Sequence, residues 1–196
     1  MEKYEYHNKQ SLRSRYLNYR SSLSKSSRAD KSRRIRERIM SNPVYQNAEI
    51  VLVYMDYRAE VETTELVEEL LKAKEKRVFA PKVDGMDIYF YEITSFDDLS
   101  EGYQSIREPS AHPDKLFTKE LSTEQCLVLV PGAVFDRQMG RMGYGKGFYD
   151  RFLGQFKEPY RMALAYDCQL AKNVPVEKHD IRMNAIITES EVIHAE

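Results

Sequence analysis

"EIVLVYMDYRAEVETTELVEELLKAKEKRVFAPKV" spans residues 49–83. It opens on an unbroken apolar run, "EIVLVYM" (49–55), whose Ile, Val and Leu suit a strand buried on both faces. It closes on a second such run, "RVFAPKV" (77–83). Between them lies "TTELVEELLKAKEK" (63–76). Here Leu66, Leu70 and Leu71 fall on one side of a helix, and Thr63 or Thr64 stands where an N-cap hydroxyl is expected. Strand, helix and strand in this order predict a βαβ unit, and such units build parallel sheets.

The pattern extends outward in both directions. "MDIYFYEI" (86–93) alternates and predicts an edge or outer strand. Residues 94–120 are polar, contain Pro109 and Pro113, and read as a long loop with short helical pieces. "CLVLVPG" (126–132) is a further buried strand ending in a turn. A glycine-rich loop follows, then a helix from about Lys146 to Phe156. "RMALAY" (161–166) and "NAIITE" (184–189) add two strands, with "VPVEKHD" (174–180) between them. On the amino-terminal side, residues 5–23 and 26–40 predict a helical pair. The first helix carries a stripe of Leu12, Tyr16, Tyr19 and Leu23; the second places Ile35 and Ile39 four apart among arginines. "SNP" (41–43) ends the second, because proline restricts the residue before it. The expected fold is α/β: a three-layer, mostly parallel, Rossmann-like sheet with helices on both faces and an N-terminal helical pair.

A chain of 196 residues, 42% of them hydrophobic, suits one domain over residues 1–196, with the basic helices of 1–41 packed on the sheet. The net charge of -1 gives no whole-protein attraction to nucleic acid. The distribution is uneven: residues 1–41 hold twelve Lys and Arg against four acids, a balance of +8, and the remainder carries -9. Such a basic front either faces an anionic ligand or forms a solvated helical surface. Cys126 and Cys168 lack metal-ligand spacing and read as reduced thiols. The first thirty residues show no signal-like apolar core, and no run suits a membrane span. The expectation is a cytoplasmic protein, monomer or homodimer, with no membrane and no nucleic-acid partner.

"GRMGYGKGFYD" (140–150) concentrates glycines beside Arg141 and Lys146 at the carboxyl end of a buried strand, ahead of a helix. Ligands of open parallel sheets collect at that end. Glycines let backbone N–H groups approach a ligand, and a helix amino terminus attracts anions. Phosphate is the expected occupant. The pattern is neither a Walker loop nor G-x-G-x-x-G. A tight strand-to-helix turn without a ligand is the structural alternative. Asp150, one turn on, suits magnesium, which prefers carboxylate and phosphate oxygen; it equally suits an ion pair with Arg151 or Lys146.

"PGAVFDRQMGRMGYGKGFYDRFL" (131–153) resembles the signature of the 5-formyltetrahydrofolate cyclo-ligase family. "KQSLR" (9–13), "MDYRAEVET" (55–63), "IREP" (106–109), "VPVEKHD" (174–180) and "AIITE" (185–189) resemble its other segments, in the same order. The resemblance implies ATP-dependent closure of 5-formyltetrahydrofolate to 5,10-methenyltetrahydrofolate, with ADP and phosphate released. The formyl oxygen would attack the γ-phosphate, and a neighbouring folate nitrogen would trap the imidate phosphate. By the same resemblance, Lys9, Arg141 and Lys146 are the catalytic cations. ATP would be held by Lys9, Arg13, Arg141, Gly143, Tyr144, Gly145, Lys146, Gly147, Phe148 and Tyr149. Folate would meet Met55, Glu60, Tyr144 and Phe148, and Mg2+ would meet Asp150 and Asp180.

Four positions depart from the family pattern. Cys126 stands where Asp is frequent, Ser105 where glycine precedes Ile, Phe148 where Tyr is frequent, and Asn184 where a second Asp follows. Two other readings compete. One is a phosphate-binding enzyme of sugar-phosphate isomerase or CoA-transferase type. The other is a nucleic-acid module using residues 1–41, whose binding would weaken steeply with salt.

Overall fold

The computed structural model describes residues 2–177 and 180–195; residues 178–179 of the "VPVEKHD" segment lie outside the described residues. In chain order the elements are α1 (Glu2–Ser22), α2 (Lys25–Ser41), α3 (Pro43–Asn47), β1 (Ile50–Leu52), α4 (Thr64–Ala73), β2 (Arg77–Asp84) and β3 (Asp87–Ile93). There follow β4 (Leu99–Glu101), β5 (Arg107–Pro109), β6 (Cys126–Val130), β7 (Val134–Asp136), β8 (Arg141–Met142) and α5 (Phe148–Gln155). The chain ends with β9 (Tyr160–Leu164), β10 (Leu170–Ala171), β11 (Ala185–Ile187) and β12 (Val192–His194).

Seven strands form the main sheet in the order β12-β11-β9-β6-β1-β2-β3. The inner five are parallel; β3 and β12 close the edges antiparallel. Val51 of β1 lies opposite Val78 of β2 and Leu127 of β6, and all three are buried. Burial on both faces is why these runs are uniformly apolar, each such side chain contributing roughly 1.5–3 kcal/mol. Along the chain, β1 leads to β2 on one side, and β6 then lies on the other side of β1. This reversal makes a crevice between the carboxyl ends of β1 and β6, where open α/β sheets bind ligands.

One face of the sheet is covered by α2, α3 and α4 through Ile35, Ile39, Tyr45, Leu66, Val67 and Leu70. The other is covered by α5 and its C-cap Phe156; Phe152, Leu153 and Phe156 meet Phe79, Phe90 and Phe117. The α/β layering with an amino-terminal helical pair is as expected. The stripe on α1 is not. Leu12, Tyr16 and Leu17 pack on a small sheet of order β10-β7-β8, while Tyr19 is 50% exposed. Leu23 turns to the core beneath α2 instead. Pattern alone misses the small sheet because its strands are two or three residues long.

Two further local expectations change. The ladder of β1 covers only Ile50–Leu52, although Val53 N–H still reaches Phe79 carbonyl at 2.9 Å. Neither threonine hydroxyl caps α4. Asp56 Oδ1 takes the N–H groups of Thr63 and Thr64 at 2.9 and 3.3 Å, so a carboxylate seven residues upstream satisfies that helix end.

The long loop contains β4 and β5, paired antiparallel and joined through Gln104 and Ser105 at φ 56° and 60°. Both occupy the left-handed region, which disfavours a Cβ by ~1–2 kcal/mol. Ser105 is the position where the resemblance anticipates glycine. Ser105→Gly should therefore raise stability by about 0.5–1 kcal/mol, read as a shift of the urea midpoint at unchanged slope.

Candidate functional site: a cavity at the carboxyl ends of β1 and β6

A cavity of about 640 Å3 opens over the crevice. Its volume lies within the range of small-molecule sites. Six segments build it: one face of α1, the turn after β1, the β2–β3 hairpin, the β4–β5 segment, the glycine loop entering α5, and the segment of Pro175, Glu177 and Asp180.

The turn after β1 presents Glu60. Its N–H bonds Tyr57 carbonyl at 3.2 Å, and its Oε2 accepts Tyr57 N–H at 2.9 Å. Tyr166 hydroxyl donates to the Glu60 carbonyl at 3.0 Å and is itself paired with Ser32 of α2. The turn is thus tied to both neighbouring layers. Glu60 is 5% exposed, and its Oε1 accepts the Tyr144 hydroxyl. Burial pushes the Glu60 carboxyl above the ordinary carboxylate range; the Tyr144 hydroxyl, the Arg20 charge and the Tyr57 N–H oppose that shift. Met55, at the end of the β1 run, lies 6% exposed in the same wall.

The glycine loop does not follow β6 directly. A hairpin of β7 and β8 intervenes, held by Asp136, whose carboxylate takes the N–H groups of Gln138, Gly140 and Val174. The hairpin brings Arg141 back under the loop. Its Nη2 bonds Asp150 at 2.8 Å, its Nη1 bonds Pro131 carbonyl at 3.3 Å, and its side chain is 3% exposed. Gly145 and Gly147 then adopt φ 91° and 70°, where a side chain is strained. Gly147 is the N-cap of α5, which starts at Phe148, two residues later than expected. The first turn of α5, whose N–H groups have no partner within the helix, thus lines the cavity.

From α1, Arg13 Nε donates to Gly143 carbonyl at 2.8 Å. Its Nη atoms lie 3.5 and 3.7 Å from where a Cβ would stand on Gly145, so the loop backbone passes directly under a guanidinium. Lys9 Nζ bonds Glu177 at 2.7 Å and lies 3.6 Å from Asp180. Lys146 is exposed and makes no ion pair among the described residues.

Every site residue singled out from the sequence therefore lines one cavity: Lys9, Arg13, Met55, Glu60, Arg141, Gly143, Tyr144, Gly145, Lys146, Gly147, Phe148, Tyr149, Asp150 and Asp180. Asp150 pairs with Arg141 rather than with Arg151 or Lys146. Arg151 instead pairs with Asp87 and bonds the Lys146 carbonyl. Phe148 lies half-buried under the Arg151 guanidinium. The sequence reading missed Arg20, Glu108 and Glu177, all in the lining. Spacing held a signal for Arg20. Arg13 and Arg20 stand four and eleven residues after Lys9, which is one helix face. Cys126 and Asn184 lie outside the lining; Cys126 Sγ bonds Leu121 carbonyl, and Asn184 Oδ1 accepts from Arg161. Among the described residues, no group of three or more His, Cys, Asp or Glu is placed to hold a metal. No helix among them is long and apolar enough to cross a membrane.

Residues 5–189 match the family model of the 5-formyltetrahydrofolate cyclo-ligase family. The chain belongs to that family. Among its relatives, 5-formyltetrahydrofolate cyclo-ligase of Escherichia coli K12 is 32% identical over 160 residues, covering 79% of this chain and 86% of the relative. The mouse cyclo-ligase is 27% identical over 196 residues, covering 92% and 93%. The solved structure of Aquifex aeolicus 5,10-methenyltetrahydrofolate synthetase superposes with a TM-score of 0.84 at 31% identity, covering 96% of this chain and 93% of that one. Family and relatives indicate cyclo-ligase activity.

Proposed function

We propose that the protein closes 5-formyltetrahydrofolate to 5,10-methenyltetrahydrofolate at the expense of ATP, with magnesium, in this cavity. One observation carries the assignment of ends. The cavity joins a buried acceptor, Glu60, to a cationic glycine loop through a single residue, Tyr144. A triphosphate fits the loop end and a pterin the Glu60 end, so the transferable phosphoryl group faces the substrate between them.

The chemistry needs no nucleophile from the protein. An amide oxygen is a poor leaving group, and phosphorylation turns it into a good one. The formyl oxygen takes the γ-phosphoryl group as the bond to ADP breaks. A neighbouring folate N–H nitrogen then attacks the formyl carbon, and phosphate departs with that oxygen and carries off the nitrogen's proton. The protein positions both partners and neutralises charge. Lys9, Arg13, Arg141 and Lys146 supply the cations, and Gly143 to Gly147 with the α5 amino terminus supply N–H donors. Phe148 and Tyr149 line the cavity and pack against the core. Glu60 already accepts one hydrogen bond on each oxygen, which leaves a lone pair on each for the two donors of an amino-pyrimidine edge.

The donor set fits magnesium brought by a nucleotide. Asp150 and Asp180 both line the cavity, and Asp150 Oδ1 lies 3.5 Å from Ile181 N, beside Asp180. Magnesium takes one or two carboxylates and completes its shell with phosphate oxygens and water. Held there, it would offset phosphate charge. Asp150→Asn should raise the magnesium concentration needed for half-maximal rate by about tenfold, for a charge-assisted contact of ~1.4 kcal/mol. An unchanged magnesium titration removes Asp150 from the metal site.

The deciding experiment mixes protein, ATP, magnesium and 5-formyltetrahydrofolate and follows the near-ultraviolet methenyl chromophore. A chromophore that grows only with ATP, and stops with a chelator, supports the proposal. Turnover without nucleotide, or none at all by folded protein, overturns it.

A further inference from the structure

Arg20 lines the cavity, yet it is 3% exposed and belongs to neither end as assigned above. Its Nη1 donates to the Tyr144 hydroxyl at 2.6 Å and to Gly132 carbonyl at 3.3 Å. Its carbon Cζ stands 5.5 Å from the Tyr144 ring centroid. Its Nε has no acceptor among the described residues. A buried guanidinium with a donor to spare is costly, and a hydrophobe of similar size is often as stable in such a place. The Gly132 carbonyl does not require it either, since Gln169 Nε2 already donates there at 2.9 Å. Tyr144 is what remains. The Tyr144 hydroxyl accepts from Arg20 and donates to Glu60, and no cation forms an ion pair with Glu60 among the described residues.

We propose that Arg20 is a positioning residue for the folate substrate: through the Tyr144 hydroxyl, its guanidinium holds the Glu60 carboxylate in the orientation that receives the pterin edge. The relay rests on the assignment of Glu60 to folate. Its physical basis is cooperative. A hydroxyl that accepts a charge-assisted bond becomes a stronger donor, so the Tyr144–Glu60 bond tightens. Arg20 touches neither ATP nor folate in this scheme.

The test is steady-state kinetics of Arg20→Met, Arg20→Lys, Tyr144→Phe and the Met/Phe double variant. Arg20→Met should raise KM for 5-formyltetrahydrofolate about tenfold, the equivalent of ~1.4 kcal/mol. KM for ATP should stay within about twofold, because Tyr144 offers the nucleotide its backbone N–H and not the hydroxyl that Arg20 holds. Arg20→Lys should recover part of the folate affinity, since an ammonium can still donate to the hydroxyl. The double variant should be no worse than Tyr144→Phe alone, as links of one chain are not additive. Equal rises in both Michaelis constants, or additive losses, overturn the relay while leaving the cyclo-ligase assignment standing. If Arg20→Met does not fold, Arg20→Lys decides by the same split: a folate KM that does not move, or an ATP KM that moves equally, overturns the relay. Wild-type protein that neither turns over nor binds 5-formyltetrahydrofolate overturns the assignment, and the relay with it.

Discussion

Arg141→Ala is expected to lower kcat/KM for ATP by about 10²–10³-fold, the range seen when a preorganised donor to developing charge is removed. Arg141 sits where β8 meets the glycine loop, and its arms hold Asp150 and the Pro131 carbonyl. The same substitution should destabilise the fold by about 1.5–3 kcal/mol, because hydrogen bonds to a charged group are lost. The two effects separate experimentally. Urea unfolding reads the first-turn anchor of α5, and ATP kinetics read the phosphate contact. Arg141→Lys restores charge without the two-armed reach, so it should recover less activity than stability. A variant that loses stability and keeps normal ATP kinetics would make Arg141 a strut of the loop and nothing more.

Glu60→Gln should weaken 5-formyltetrahydrofolate by about 10–100-fold, corresponding to one charged hydrogen bond, and leave ATP affinity nearly unchanged. It should also remove a pH dependence. Burial raises the Glu60 carboxyl, Asp56 adds to that, and Tyr144, Arg20 and the Tyr57 N–H pull against it. As pH falls through this raised value the carboxylate gains a proton and loses an acceptor site. Folate affinity in the wild type should therefore fall at a pH above the ordinary carboxylate range, and in Glu60→Gln it should not. The stability effect has the opposite sense. A carboxyl raised in the folded state contributes stability that is complete below its unfolded value and is lost as pH rises through the folded one. Glu60 thus weighs against the fold at neutral pH, and Gln should flatten stability between acid and neutral. Isothermal titration at several pH values checks the first statement. Urea midpoints at the same pH values check the second.

How far the site was legible follows from residue chemistry. The glycine loop announces itself because positive φ and close backbone approach demand glycine, as at Gly145 and Gly147. Arg13 and Lys9 stand out only beside the family resemblance, since two cations on a helix face equally suit solvent. Arg20 escaped notice for the same reason: the groups that cover it, Gly132 and Tyr144, lie more than a hundred residues away in sequence. Thr63 stands at the N-cap of α4 as the spacing predicts, but the acceptor for that helix end is Asp56, which reaches it across a turn rather than from the cap position.

What the sequence alone determined was the layering. Five doubly buried strands and the helices between them follow from apolar periodicity, because hydrophobic burial is set by which residues are apolar and at what spacing. The tertiary structure alone decided that Glu60, Tyr144 and Arg20 touch. Residues 84 and 124 positions from Tyr144 meet it only once the chain crosses over at β1 and β6, and no local pattern encodes a contact made by a crossover.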